Sequence, residues 1–169
     1  MIVKIHNAPS KRAKDLIKDA CRFAADFFFD KRVINNLIIS IKFESGLVKQ
    51  SGMMACCSYT DGPVRPRVFL IEIDKSLSLL SMLLCIFHEM VHVKQYAKNE
   101  LYDSPRNEKT FKWQGKWYNE DKLNYFDQPW EIEAHGREKG LFLRWLVFTE
   151  LLTDEQRNQL ETKYNFIES

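Results

Sequence analysis

His88-Glu89-Met90-Val91-His92 sets two imidazoles and a carboxylate within five residues, inside an apolar stretch. On an α-helix, side chains four apart lie nearly one above the other, so both imidazoles can reach a single metal ion. Glu89 falls about 100° round the axis, beside such an ion rather than under it. There it could take a proton from water activated at the metal. Two histidines with an intervening acid point to zinc and to hydrolysis. The plain alternative is a pair of histidines on a structural helix.

Catalytic zinc needs three protein ligands and one open position. The segment Pro129-Trp130-Glu131-Ile132-Glu133-Ala134-His135-Gly136-Arg137-Glu138 is the source of the third, with Glu131, Glu133 and His135 as candidates. Helical spacing groups Glu131, His135, Glu138 and Lys139 on one side, a charged stripe that reads as solvated. Glu133 lies on the other side with Gly136, Arg137 and Gly140. Glycines in a helix interior cost stability but leave room for a second helix to come close. This favours Glu133 as the third ligand, then His135, then Glu131. The competing role for Glu133 is an ion pair with Arg137, four residues on.

These groups need a scaffold. Ser10 to about residue 30 reads as a helix, with Leu16, Ile17, Ala20, Phe23, Ala24 and Phe27 on one face. Leu37 to Phe43 alternates as a strand with Leu37, Ile39, Ile41 and Phe43 inward. Met53 to Tyr59 and Arg67 to Ile73 read as further strands, separated by the turn residues Thr60-Asp61-Gly62-Pro63. Asp74 or Ser76 is expected to cap a long helix reaching about Lys98 and carrying the histidines. Phe111 to Tyr118 suggests a hairpin turning at Gln114-Gly115. Pro129 opens a helix to about Glu150. Thr153, with Gln156 three residues on, starts a last one. The expectation is a single α+β, zincin-like domain over residues 1–169. In it a small mixed sheet lies beside the motif helix, followed by a loop and hairpin and two C-terminal helices.

Composition narrows the class. The chain has 169 residues with 45% hydrophobic and 13% aromatic content, enough for one core. A net charge of +2 does not by itself indicate nucleic acid or membrane as partner. The N-terminus shows no signal-peptide pattern, and the longest apolar run, from Leu77 to Phe87, is too short to span a bilayer. Cys21, Cys56, Cys57 and Cys85 lack C-x-x-C spacing and read as reduced, buried thiols of a cytoplasmic protein.

Taken together, His88 to Tyr96, the aromatic middle with Trp113 and Gly115-Lys116, and Pro129 to Gly136 resemble small metallopeptidases encoded by tailed bacteriophages. The resemblance covers roughly the C-terminal two thirds of the chain and implies a host-cytoplasm location. More distantly the chain looks like compact gluzincins of the ImmA/IrrE type, in which a Glu-Ala on a downstream helix completes the site; that likeness implies Glu133. It also looks like SprT-type proteases, whose third ligand is a His-Gly histidine. His135-Gly136 mimics that pattern, but Arg137 stands where a proline is typical.

The chemistry expected is zinc-dependent hydrolysis of a peptide bond, with Glu89 as base and then as proton donor to the leaving amine. Arg137, Tyr118 and Tyr125 are candidates to steady the oxyanion or the substrate. The Arg67–Ile73 strand is either sheet core or an edge along which an extended peptide could pair. Trp113, Trp117, Tyr118, Lys112 and Lys116 suit a hairpin packed on the core, stacking on single-stranded nucleic acid, or a lid. The expected partner is a protein or peptide substrate. Competing readings are a protease-fold binding module that grips DNA or a phage or host protein, and a zinc amidase of deformylase type.

Overall fold

The computed structural model describes residues 1–164. A four-stranded sheet in the order β1-β2-β4-β3 forms the base, from β1 (Ile2–His6), β2 (Ile38–Glu44), β3 (Ala55–Tyr59) and β4 (Val68–Asp74). β1, β2 and β4 run parallel and β3 antiparallel, so the sheet is mixed as expected. Leu37, Ile39, Ile41 and Phe43 point inward with Phe69, Ile71 and Ile73. The alternate residues Ser40, Lys42 and Glu72 stay partly or fully accessible. One face of the sheet therefore carries the core, in keeping with period-two alternation. β1 was not anticipated: five residues with only Val3 and Ile5 facing in make a faint signal.

Helices α1 (Lys11–Phe28) and α4 (Leu79–Ala97) cover that face, and α5 (Pro129–Val147) packs on both helices. Short helices α2 (Lys31–Asn36) and α3 (Leu47–Ser51) occupy the connections. The cap of α4 is Ser78, whose hydroxyl accepts from the Ser81 N–H at 3.1 Å, not Asp74 or Ser76. Asp74 is already committed, accepting from Val48 N at 2.7 Å and from the amide and hydroxyl of Ser76 at 2.8 and 2.6 Å. With the sheet beneath and helices beside it, α4 is buried almost all round, which is why its polar residues His88, Glu89, His92, Lys94 and Gln95 are all buried.

The hairpin forms as read: β6 (Thr110–Trp113) and β7 (Lys116–Asn119) turn through Gln114 at φ 45° and Gly115 at φ 89°. Two successive left-handed residues mark the type I′ turn, whose twist matches paired strands. A third strand, β5 (Leu101–Asp103), extends this sheet. Its inner side packs Leu101 and Trp113 on Trp130, with Phe111 and Tyr118 alongside. Trp117 stays half-exposed under Lys112. Thr153 and Gln156 close the anticipated capping box before α6 (Asp154–Tyr164), through bonds of 3.0 and 3.3 Å. No helix among the described residues is long and apolar enough to cross a membrane.

Trp145 ties α5 to its neighbours. It is 1% exposed, packs on Phe87 of α4 and donates its indole N–H to Asp19 of α1 at 2.8 Å. We expect Trp145→Ala to lower unfolding free energy by about 3–5 kcal/mol in chemical denaturation. A loss below 1 kcal/mol would mean that this contact does not anchor α5.

Candidate metal centre

α4 presents His88 and His92 one turn apart, with their Nε2 atoms 3.1 Å from each other. α5 crosses beside them and delivers Glu131, whose two oxygens lie 3.3 Å from His88 Nε2 and 3.4 Å from His92 Nε2. His88, His92 and Glu131, all buried, thus converge on one point. The expectation that Glu133 would stand there is corrected. Its carboxylate instead meets Lys94 Nζ at 2.7 Å, Gln95 Nε2 at 3.2 Å and Arg137 Nε at 2.8 Å.

The reason is the rotation of α5 about its own axis. Glu131, His135 and Glu138 do share one side of the helix, but Glu131 and Glu138 on it face the polar spot of α4, while His135 and Lys139 remain exposed. The glycine side faces out: a Cβ built at Gly136 or Gly140 would meet nothing within 4 Å. The glycines therefore do not mark a close helix crossing. His135 is partly exposed at the rim, its ring 4.5 Å from that of His88 and its Nδ1 3.4 Å from Glu138. It forms a second cluster with His88 and Glu138.

The outer nitrogens of both imidazoles are occupied. His88 Nδ1 donates to Glu138 Oε2 at 2.8 Å. His92 Nδ1 lies 2.8 Å from Gln95 Oε1. Gln95 Nε2 is spent on the Trp130 carbonyl at 2.9 Å and on Glu133, so its Oε1 must accept and His92 Nδ1 must carry the proton. In the neutral rings both Nε2 atoms then bear lone pairs, facing each other at 3.1 Å. At that distance either a shared proton or a bound cation must lie between the two nitrogens. The Nε2 atoms lie 3.1 Å apart, and each has a different Glu131 oxygen at 3.3 or 3.4 Å, spacings near the roughly 3.3 Å between tetrahedral ligands about 2.0–2.1 Å from zinc. Donor type, spacing and outer partners all fit zinc.

The electrostatics favour positive charge here. Burial would lower the His88 pKa, but the Glu131 and Glu138 carboxylates outweigh it and push it up to about 10. His92 rises as well, burial again being overcome by the carboxylates of Glu131 and Glu89. Burial opposes ionisation of Glu131, yet the bonds to His88 and His92 hold it well below the usual carboxylate range. Three carboxylates thus surround two imidazoles in a partly dry pocket, a field that a divalent cation would neutralise.

The centre opens into a cleft of about 700 Å³. Its walls include Met53 to Cys57, Leu84, Tyr125 and Phe126, with Glu89 beside the imidazoles. Glu89 is 5% exposed, and burial is the main cause holding its pKa above the ordinary value. Of the three proposed substrate-steadying groups, only Tyr125 lines the cleft, its hydroxyl donating to Glu131 Oε2 at 2.7 Å. Arg137 is turned to Glu133, and Tyr118 packs edge-on against Trp130. The Arg67–Ile73 strand is not an edge: β4 lies between β2 and β3, and β3 is the edge beside the cleft.

All four thiols are free. Only Cys21 is wholly in the core; Cys56, Cys57 and Cys85 reach the cleft wall. Burial, with Glu89 nearby, pushes the Cys85 thiol up to about 12, so it is no ready nucleophile. The sequence reading missed two supports, Gln95 and Glu138. Each had a signal: Gln95 follows His92 by three positions inside a buried helix, and Glu138 follows Glu131 by seven, on the same face. No protein-family model, curated protein or solved structure matches the chain.

Proposed function

We propose that the chain is a zinc-dependent metallopeptidase, its metal held by His88, His92 and Glu131. The observation that carries this reading is the convergence of two Nε2 atoms, 3.1 Å apart, with a Glu131 carboxylate oxygen near each. Bound there, zinc would supply a Lewis acid for the scissile carbonyl and acidify water to a pKa of about 7.

The chain's own groups account for the rest. Glu89 opens on the cleft beside the imidazoles, its pKa raised by burial, placed to take a proton from water and pass it to the departing amine. Tyr125 restrains the Glu131 carboxylate from the solvent side. β3 supplies an edge for an extended peptide. Asp74 N–H bonds to Met54 C=O, and Thr60 N–H to Val68 C=O. That phase turns the backbone groups of Ala55 and Cys57 to the open side. Such a cleft favours a peptide over a small amide, and Glu89 is a group that a purely structural metal site would not need.

Metal analysis of the purified protein should find about one zinc per chain, and a peptide library should be cleaved only by the zinc-loaded form. A folded protein that takes up no zinc at micromolar concentration would overturn the assignment.

A further inference from the structure

We infer that Glu133 is a positioning residue for His92, acting through Gln95; the inference rests on the metal centre described above. Gln95 is fully buried. Its amide could face His92 with either end, and the end presented decides which imidazole nitrogen carries the proton. Turned one way, Gln95 Oε1 accepts from His92 Nδ1 and leaves Nε2 with its lone pair. Turned the other way, an NH2 would meet Nδ1, and the carbonyl would face the Trp130 carbonyl and the Glu133 carboxylate.

Glu133 selects the first state. Its Oε2 accepts from Gln95 Nε2 at 3.2 Å, beside the Trp130 carbonyl at 2.9 Å. Its Oε1 is held by Lys94 Nζ at 2.7 Å and Arg137 Nε at 2.8 Å. Those two cations help keep the carboxylate ionised, outweighing its burial. Lys94 is itself buried, and a second carboxylate, Glu100, stands 2.6 Å from its ammonium as an ion pair without hydrogen-bond geometry. The chain of contacts runs from Lys94 and Arg137 through Glu133 and Gln95 to His92 Nδ1. It joins α4 to α5 on the side of the site away from the cleft. Outer partners of this kind commonly carry a 10–100-fold share of metal affinity.

Glu133→Gln is nearly isosteric. An amide there cannot offer acceptors to the two cations and to Gln95 at once, so the Gln95 orientation is no longer enforced. We expect zinc affinity, measured by competition with a chromophoric chelator, to fall about tenfold in Glu133→Gln. Gln95→Leu should lose at least as much, and the double variant no more than Gln95→Leu alone, because Glu133 acts only through Gln95. A second readout needs no metal: the His92 Nδ1 proton should be protected from exchange in wild-type nitrogen-15 spectra and unprotected in Glu133→Gln.

Unchanged zinc affinity and a still-protected Nδ1 proton, with only the melting temperature altered, would overturn the proposal and reduce Glu133 to an ion-pair partner. Additive losses in the double variant would overturn it too. Absence of zinc binding in the wild type would refute the metal centre. The proton measurement would still decide whether Glu133 orients Gln95, and a proton unaffected by the substitution would refute that as well.

Discussion

Glu131→Ala should strip the protein of zinc, while Glu133→Ala should retain it in near-stoichiometric amount with weakened affinity. Among the described residues, Glu131 is the only carboxylate with an oxygen within 3.4 Å of each Nε2 atom. Its removal leaves two nitrogen ligands where a catalytic site uses three. The loss should therefore exceed the roughly 100-fold seen when an outer hydrogen-bond partner is deleted. Glu131→Ala also removes the acceptor of the Tyr125 hydroxyl, so the Tyr125 turn should loosen. Chelator competition and metal analysis on both variants check the result together. Zinc retained by Glu131→Ala and lost by Glu133→Ala would reinstate the ligand suggested by the resemblance and refute the placement of α5.

Glu89→Gln should keep zinc within a few-fold of wild type and lower peptide hydrolysis by about 10²–10⁴-fold. The substitution preserves shape but removes the group able to accept and return a proton. Glu89 also adds negative charge beside His88 and His92, so a modest loss of metal affinity is expected along with the larger loss of rate. The two effects separate in experiments at saturating zinc, where only the rate defect persists. A variant that hydrolyses peptides at the wild-type rate under those conditions would remove Glu89 from the mechanism.

These expectations divide along a line set by what a helix records about itself. His88, Glu89 and His92 are related by spacing within one helix, and three residues suffice to read their mutual geometry. The same local rules located the type I′ turn at Gln114-Gly115 and the capping box at Thr153 and Gln156. The alternation of Leu37, Ile39, Ile41 and Phe43 named a strand and its buried face. In each case the deciding interaction lies within a few residues, where backbone geometry leaves little choice.

The carboxylate beside the imidazoles is a different matter. Helical periodicity correctly put Glu131 and His135 on one side and Glu133 on another, yet could not say which side meets α4. That depends on how α5 is turned when Trp130, Ala134, Leu141 and Trp145 are buried together. Their burial brings Glu131 and Glu138 to the histidines and turns Glu133 toward Lys94, Gln95 and Arg137. Of the stripe that reads as solvated in the sequence, Glu131 is buried and Glu138 half-buried against the two imidazoles, while His135 and Lys139 stay exposed. The same holds for the sheet, where the cleft edge falls to β3 rather than β4 through strand order alone. The sequence by itself determined the geometry of His88, Glu89 and His92 and the elements that carry them, since these follow from contacts local in the chain. Only the tertiary structure decided which carboxylate stands beside the two imidazoles and which groups occupy their outer nitrogens, since those follow from the rotation and docking of elements about forty residues apart.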